Sequence, residues 1–137
     1  MKIIVKPGAK RPRHATKGSC GYDLASTKTL IIRPGCHAKV PTGIHMEVPR
    51  GEAGTISHRS GMNTKQGIQA YGRIDSDYIG EIYVTLYNND PEHFIRIEDG
   101  DWIAQIVFVS VNHHTFEEVE ELRRTERGDN GYGSTGK

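Results

Sequence analysis

Two short stretches of the sequence contain residue types suited to phosphate chemistry. One could bind an anion, and the other could activate a water molecule close to it. In HRSGMNTKQG, Arg59 offers a bidentate donor, Ser60 a hydroxyl group and Gly61 an unobstructed backbone amide. At the start of a short helix these three groups form a good anion site. A helix N-cap followed by a turn glycine explains the same residues equally well. The R-S-G stretch alone therefore leaves anion binding and helix capping both open.

The second stretch, GRIDSDYIGEIYV, places two carboxylates and a tyrosine between two β segments. Alternation along an extended chain predicts that Asp75 and Asp77 share one face, with Tyr78 beside them and Ile74 on the opposite face. A carboxylate close to bound phosphates could act as a general base toward water. An acidic β-turn on the surface is the competing interpretation.

The glycine-rich segment RGDNGYGSTGK satisfies two phosphate-binding patterns, G-x-G-x-x-G and most of the Walker motif. Both patterns cradle phosphate only where the glycines follow a strand and open a helix, and that context is absent from this sequence. We therefore expect neither a Rossmann nor a Walker loop. A disordered terminus and a mobile flap whose amides close over phosphates are the alternatives.

Three further polar residues are unremarkable one at a time: Asp23 in CGYDLAS, Gln105 in WIAQIVF and Arg127 in ERGDNGYGSTG. Asp23 fits a strand-end carboxylate, Gln105 a polar group that caps a buried edge, and Arg127 a solvated charge. Only their combination with the stretches above suggests a shared site.

The composition predicts that one mostly polar domain positions these residues. The chain has 137 residues, of which 35% are hydrophobic and 26% charged, enough for a real core. The net charge of +1 creates no global field, so neither nucleic acid nor a membrane is expected as a partner. A basic cluster near the N-terminus is expected to be a solvated loop; it comprises Lys6, Lys10, Arg11, Arg13 and Lys17.

The cysteines and the apolar segments indicate the cellular setting. Cys20 and Cys36 lack metal-ligand spacing, so we expect reduced, semi-buried side chains and no structural zinc. The sequence has no signal-peptide core and no apolar segment of membrane-spanning length. We expect a soluble intracellular protein, located in the cytoplasm.

Alternating and short apolar segments predict many strands. Half-buried strands are predicted at Val40, Ile44, Met46 and Val48, at Ile82, Val84 and Leu86, and in the apolar runs 3–5, 30–32 and 103–109. Turn signals separate these segments, which is typical of an all-β sandwich or barrel. One short helix is predicted within residues 60–67. The segment TFEEVEELRR is compatible with either a helical face or an extended arm.

Five segments in fixed order resemble the five ordered motifs of the trimeric dUTP pyrophosphatases, the dUTPases. They are GSCGYDLAS, HRSGMNTKQG, GRIDSDYIGEI, GDWIAQIVF and RGDNGYGSTG, and the resemblance runs from about Ala15 to Gly136. The resemblance implies an all-β, distorted jelly-roll subunit with one short helix over residues 1–126. It also implies a mobile arm, 127–137, that closes over the active site, and a homotrimer whose three sites lie at subunit interfaces.

The resemblance further implies Mg²⁺-dependent hydrolysis of dUTP to dUMP and pyrophosphate, which supplies dUMP and limits uracil in DNA. Asp75 would be the general base that deprotonates a water attacking the α-phosphorus, and Asp23 would contact Mg²⁺ through a coordinated water. Phosphate binding would fall to Arg59, Ser60, Gly61, Gln105, Arg127, Gly133, Ser134 and Thr135. Uracil and deoxyribose would be held by Gln69, Gly72, Arg73, Ile74, Tyr78 and Tyr132.

A few positions depart from the usual pattern of that family. His58 stands where a proline often precedes the arginine, Trp102 replaces the usual Arg or Lys of the fourth motif, and Tyr132 stands where Phe is commoner. The segment 68–75, interpreted as the hairpin that recognises the base, is one residue shorter than in many relatives.

Two other functions are compatible with the sequence. The dCTP deaminases share the implied fold, but their catalytic glutamate has no counterpart that we locate, and Asp75 with Tyr78 favours a dUTPase. A regulatory protein could use the same fold to bind a partner, with a nucleotide as its switch. The intact catalytic set argues against loss of activity but not against such an additional role.

Overall fold

In the computed structural model, which describes residues 1–61 and 67–129, the chain forms ten β-strands. The strands are β1 (Ile3–Val5), β2 (Tyr22–Ala25), β3 (Leu30–Ile32), β4 (His37–Pro41), β5 (Ile44–Met46), β6 (Glu52–Ser57), β7 (Ile68–Ile74), β8 (Tyr83–Asn88), β9 (Ile95–Ile97) and β10 (Trp102–Ser110). Ser60 and Gly61 are helical, as predicted, and the predicted continuation of that helix through 62–66 lies outside the described residues. Within the described ranges, no helix is long and apolar enough to cross a membrane.

The strands pair in antiparallel fashion throughout the described chain. The main sheet has the order β2-β10-β6-β7-β8-β4, and the pairs β1-β5 and β3-β9 form two small additional sheets. The central strand pair, β10 with β6, runs from Gln105 opposite Ser57 to Ser110 opposite Glu52. The all-β prediction is therefore confirmed, and non-local pairings hold the motif-bearing strands side by side.

Side-chain alternation along the strands builds the core. In β8, Val84 and Leu86 are fully buried, whereas Tyr83 and Tyr87 are exposed, because successive side chains of a strand point to opposite faces. The same pattern recurs around the sheets, and the largest fully buried side chains include Leu24, Ile32, Ile44, Ile68, Ile82, Ile97, Ile103 and Ile106. The predicted alternation of Ile82 to Tyr87 is confirmed.

The segment 40–48 was predicted as one alternating strand and instead forms two. β4 ends at Pro41 and β5 begins at Ile44, because Gly43 has a φ of +66° that breaks the extended chain. A Cβ at Gly43 would lie 2.7 Å from the Cβ of Ala9, so the turn also requires a residue without a side chain. β4 then joins β8, whereas β5 leaves the main sheet to pair with β1.

Two further predictions about exposure and conformation are settled by the structure. Residues 111–125, which include all of TFEEVEELRR, have no helical or strand conformation, and the side chain of Phe116 is fully exposed. The extended-arm interpretation is therefore confirmed over the helical one.

Cys20 and Cys36 are free thiols, as predicted, but both are exposed rather than semi-buried, because each lies in a connecting segment rather than in a strand.

Candidate active site

A pocket at one end of the main sheet gathers most of the predicted anion-binding residues. Its volume is about 370 Å³, and its lining comprises Ala15, Ser19, Gly21, Asp23, Arg59, Ser60, Gly61 and Gln105. Asp23 and Gln105 lie directly opposite each other on β2 and β10, so their side chains share one face. Arg59 to Gly61 follow the end of β6, whose Ser57 pairs with Gln105 from the other side. We refer to this cavity, after the group that the resemblance predicts there, as the phosphate pocket.

Arg59 is oriented from two sides. Its Nε lies 3.2 Å from Oδ1 of Asp23, whose side chain is only 8% exposed, and its Nη1 donates to the backbone carbonyl of Trp102 at 3.1 Å. Because both partners belong to neighbouring strands, the guanidinium is held in one direction before any ligand arrives. The remaining N–H groups of Arg59 are available for an anion in the pocket.

One wall of the phosphate pocket requires glycine at position 21, because β10 lies very close to the backbone there. A Cβ there would lie 2.9 Å from Cγ2 of Val107 and 3.0 Å from both Oε1 of Gln105 and the carbonyl oxygen of Ile106. Gln105 also donates from Nε2 to the carbonyl of His58 at 3.3 Å. The predicted role of Gln105 as a polar group on a strand edge agrees with this geometry. Gly61, in contrast, faces open space and leaves its surroundings accessible.

Asp75 and Tyr78 line a second pocket. This pocket has a volume of about 210 Å³ and is lined by Lys39, Arg73, Ile74, Asp75, Tyr78, Glu81 and Tyr83. Asp75 starts a β-turn in which the N–H of Tyr78 donates to its carbonyl at 3.2 Å. The expectation that Asp75 and Asp77 share a face of an extended strand is therefore wrong, because β7 ends at Ile74 and the acidic turn begins there. We refer to this cavity, after the group that the resemblance predicts there, as the nucleoside pocket.

The ring of Tyr78 is fixed by Gly80 and Glu81. The phenol donates to the carbonyl of Glu81 at 2.7 Å, and a Cβ at Gly80 would lie 2.5 Å from the phenol oxygen. The carboxylate of Glu81 accepts from Lys6 Nζ at 2.9 Å and from the N–H of Gly43 at 3.0 Å. Burial alone would raise the pKa of Glu81, but these two donors hold that pKa below its ordinary value.

One edge of β7 opens beside the nucleoside pocket. β7 pairs with β8 only from Ile68 to Tyr71, whereas its pairing with β6 continues to Ile74. Among the strands that the structure describes, none therefore pairs with the edge of residues 72–74 that faces away from β6. The hairpin is formed by β7 and β8 together, so the interpretation of 68–75 as a hairpin in itself is wrong. Gln69 is six residues from Asp75, about 20 Å along the strand, and does not line this pocket.

The two pockets lie at opposite ends of the β6-β7 pair. Ile74 pairs with Gly54 and Tyr71 with Ser57, so Asp75 lies near the beginning of β6 and Arg59 just beyond its end. Six residue steps of about 3.3 Å separate the two positions along the strand, or about 20 Å. The structure thus groups one part of the predicted set in the first pocket and another part, Arg73 to Asp75 with Tyr78, in the second, but does not bring these two groups together within one chain.

The C-terminal candidates are only partly within the described residues. Arg127 is exposed and lies in a turn that the N–H of Gly128 closes onto the carbonyl of Thr125 at 3.1 Å. Tyr132, Gly133, Ser134 and Thr135 lie outside the described residues.

Other pocket residues were missed by the sequence analysis. Ser19 and Gly21 belong to the first motif, whose GSCGY letters could have drawn attention to them. Lys39 and Tyr83 reach the nucleoside pocket from β4 and β8, where the Lys39 ammonium lies 4.2 Å from the centroid of the Tyr83 ring. Nothing local distinguishes these two from other exposed strand residues.

The fold and the two pockets define an all-β protein with an arginine-containing pocket and a separate carboxylate–tyrosine pocket. A sequence model of the dUTPase family matches residues 8–136. The deoxyuridine 5'-triphosphate nucleotidohydrolase of Corynebacterium glutamicum is 49% identical over 92% of this chain and 87% of that protein. The one from Psychromonas ingrahamii is 46% identical over 92% of this chain and 87% of that protein. The chain belongs to the dUTPase family, a family of dUTP diphosphatases.

A solved structure supports the same assignment. The dUTPase of Staphylococcus bacteriophage 80alpha with dUPNHPP matches with a TM-score of 0.90 and 27% identity, covering 98% of this chain and 97% of that chain. The predicted jelly-roll fold and the resemblance to the dUTPases are therefore confirmed.

Proposed function

We propose that the chain hydrolyses dUTP to dUMP and pyrophosphate through attack of an Asp75-activated water on the α-phosphorus. The observation that carries this proposal is the pairing of an oriented arginine pocket with an acidic turn beside a fixed tyrosine, on a chain of the dUTPase family. Phosphate-ester hydrolysis requires charge neutralisation and a positioned water more than covalent chemistry, and these pockets supply groups for both.

In this proposal the triphosphate lies in the phosphate pocket. Arg59 binds phosphate oxygens while Asp23 and the Trp102 carbonyl keep its guanidinium in place. Ser60, Gly61 and Gln105 add hydroxyl, backbone and amide donors on the same rim. Because the donors are already oriented, little reorganisation is needed when charge develops on the leaving pyrophosphate.

Asp23 is the group with which we expect Mg²⁺ to interact. Among the described residues, no three His, Cys, Asp or Glu side chains cluster closely enough to hold a metal by themselves. A single buried carboxylate fits Mg²⁺ in the form that proteins usually bind it, with several waters retained and substrate phosphates as further ligands. When bound, the ion would neutralise charge on the phosphate oxygens.

The nucleoside half uses the second pocket. Asp75 accepts a proton from the attacking water, and the Tyr78 ring packs against the deoxyribose so that a ribose 2′-hydroxyl is excluded. The open edge of Gly72–Ile74 provides backbone donors and acceptors for uracil, and an unpaired buried amide or carbonyl would cost about 1–3 kcal/mol with the wrong base.

We propose a homotrimer because one chain cannot complete the site. The separation of about 20 Å along β6 and β7 is too long for Asp75 to activate a water at phosphates bound by Arg59 of the same chain. A neighbouring chain that presents its nucleoside pocket to the phosphate pocket removes this problem. The exposed arm at 111–119, with Phe116 fully exposed, offers apolar surface for contact between chains.

We propose that residues 1–126 form the catalytic domain and that 127–137 act as an arm that closes over the nucleotide. Arg127 would bind the terminal phosphate, Gly133, Ser134 and Thr135 would add donors, and Tyr132 would stack on uracil. Small residues allow consecutive amides to converge on an anion. Closure would exclude bulk water and strengthen each polar contact.

The direct test is pyrophosphate release from dUTP in the presence of Mg²⁺, with dCTP, dTTP and UTP at the same concentration. We expect rapid cleavage of dUTP alone. Cleavage of several nucleotides would refute the proposed base recognition by β7. Release of ammonia from dCTP would identify a deaminase instead, and no cleavage of any nucleotide would refute the proposed activity.

A regulatory role is a second candidate. The phage 80alpha dUTPase controls transfer of virulence genes by a proto-oncogenic G protein-like mechanism. If this chain has a comparable role, immobilised protein should capture a partner in a manner that dUTP alters. Capture that is indifferent to dUTP, or no capture, would refute it without affecting the proposed hydrolysis.

A further inference from the structure

Trp102 connects two arginines beside the phosphate pocket. Its backbone carbonyl accepts a hydrogen bond from Arg59 at 3.1 Å, and its ring lies under the guanidinium of Arg13, with Cζ 4.6 Å from the ring centroid. This distance is within the range of a cation–π interaction. The neutral ring of Trp102 is thus paired with a cation from a distant part of the chain.

The backbone of Arg13 is attached to the same pocket. Its carbonyl accepts the N–H of Asp23 at 2.7 Å, and the two residues form an isolated antiparallel bridge. Residues directly opposite each other in such a bridge project to the same face. Asp23 in turn binds Arg59, so four residues form a closed circuit: Arg13, Asp23, Arg59 and Trp102.

The charges in this circuit are not equally compensated. The buried Asp23 carboxylate offsets the charge of Arg59, whereas the exposed Arg13 guanidinium has no ion pair within residues 1–61 and 67–129. Stacking occupies the face of a guanidinium and leaves the N–H groups at its edge available for an anion. Arg13 is exposed, as a solvated loop predicts, but its guanidinium is stacked on the Trp102 ring rather than free in solvent.

Lys10 fixes the same segment at a second point. Its ammonium donates to the carbonyl of Gly100 at 2.7 Å and lies 5.5 Å from the centroid of the Trp102 ring. Residues 10–13 are thus held against the beginning of β10 rather than extended into solvent.

We propose that Trp102 is a positioning residue that holds the Arg13 guanidinium beside the phosphate pocket, whose lining residue Asp23 pairs with Arg13, and that Arg13 there binds the phosphate chain of the nucleotide. The inference rests on the proposed dUTP hydrolysis and adds Arg13 to the groups that bind its substrate.

The first test compares Arg13→Gln with Arg11→Gln. Both variants lose one charge from the same segment, but Arg11 lines a different groove with Met1, Ile3 and Tyr22. For Arg13→Gln we expect the KM for dUTP to rise about five-fold at low salt, with kcat within about two-fold and a smaller effect at high salt. Arg11→Gln should leave both constants unchanged. Equal effects of the two variants, or a lowered melting temperature of Arg13→Gln with an unchanged KM, would overturn the proposal.

The second test uses Trp102 itself, which is the only tryptophan in the chain. Pyrophosphate with Mg²⁺ should change the intrinsic fluorescence of the full-length protein, and Arg13→Gln should weaken the apparent pyrophosphate affinity by about five-fold. An affinity that Arg13→Gln does not alter would overturn the proposal. A chain that binds pyrophosphate in this Arg13-dependent way but leaves dUTP intact would refute the proposed hydrolysis and retain the Arg13 assignment.

The third test asks whether Trp102 acts through Arg13. Trp102→Leu should raise the KM about as much as Arg13→Gln does, and the double variant should add little, because residues that act as a unit are not additive. Trp102→Arg should bring the KM back toward that of the original chain even with Arg13→Gln present, which a merely structural role of the ring would not produce. Fully additive effects of the two changes, or no recovery with Trp102→Arg, would overturn the positioning role.

Discussion

Replacing Gly80 by alanine should displace Tyr78 and relax the selection of deoxyribose over ribose. A Cβ at position 80 would lie 2.5 Å from the phenol oxygen and 2.6 Å from Cζ of Tyr78, whereas ordinary contacts begin at about 3.4 Å. The ring must therefore move by about 0.9 Å, and its 2.7 Å hydrogen bond to the Glu81 carbonyl is lost. Because the ring can swing outward, the stability cost should be only about 1 kcal/mol.

The functional effect of Gly80→Ala should be larger than its effect on stability. A displacement of about 1 Å in a positioning group can cost up to about 100-fold in rate. We expect the ratio of kcat/KM for dUTP to that for UTP to fall at least about ten-fold, and the melting temperature to fall by about 4 °C. Gly18→Ala is the matched control, because a Cβ there meets no atom within 4 Å.

The assay is pyrophosphate release from dUTP and UTP by the original chain, Gly80→Ala, Gly18→Ala and Tyr78→Phe. Tyr78→Phe removes the hydrogen bond but keeps the ring on Gly80, so it should retain most of the sugar discrimination. An unchanged dUTP-to-UTP ratio in Gly80→Ala, with a normal fold, would refute the assignment of Tyr78 to the deoxyribose.

Three other changes test separate parts of the site. Asp75→Asn should lower kcat by about 10²–10⁴-fold and leave the dUTP affinity within a few-fold of the original, because the shape of the site and its phosphate contacts persist. Steady-state kinetics measure both constants, and a kcat close to the original would show that Asp75 is not the base. Removal of 127–137 should abolish most activity while the mass measured by light scattering stays that of the original assembly. Dissociation of the assembly would show instead that the arm is required to hold the chains together. Because Lys6 and Gly43 keep the pKa of Glu81 below its ordinary value of 4.5, its stabilisation is present above that pH and lost as the pH falls through the lowered folded-state value. Thermal unfolding from pH 7 down to pH 3 should therefore show a steeper loss for the original chain than for Glu81→Gln, and parallel curves would contradict this role.

The alternation of apolar and polar residues predicted the strands well where one face of the strand is buried and the other is exposed. Ile82 to Tyr87 alternate in sequence and in the structure, because one face of β8 is buried and the other exposed. The same rule failed at Thr42 and Gly43, where a left-handed glycine divides an alternating segment between two sheets. The rule also failed at Asp75 to Tyr78, because a short acidic sequence is compatible with both an extended strand and a β-turn.

The membership of the candidate site was more predictable than its arrangement. The ordered motifs identified Asp23, Arg59 and Gln105, which the structure brings into one pocket. The separation of that pocket from Asp75 depends on the register of β6 with β7, which no local segment encodes. The contact of Arg13 with Trp102 was not predictable either, because it joins residues that are far apart in the sequence.

Subunit mixing is the measurement that tests most directly whether each active site is built from different chains. Asp75→Asn and Arg59→Gln should each be nearly inactive while retaining the original mass of the assembly. Glutamine at position 59 can still donate to the buried Asp23, which limits the loss of stability. After the two variants are unfolded and refolded together in equal amounts, about a quarter of the sites should combine an intact Asp75 with an intact Arg59 from its neighbour. Recovery of about a quarter of the original dUTP hydrolysis is expected, and no recovery in properly assembled mixtures would show that one chain supplies both groups.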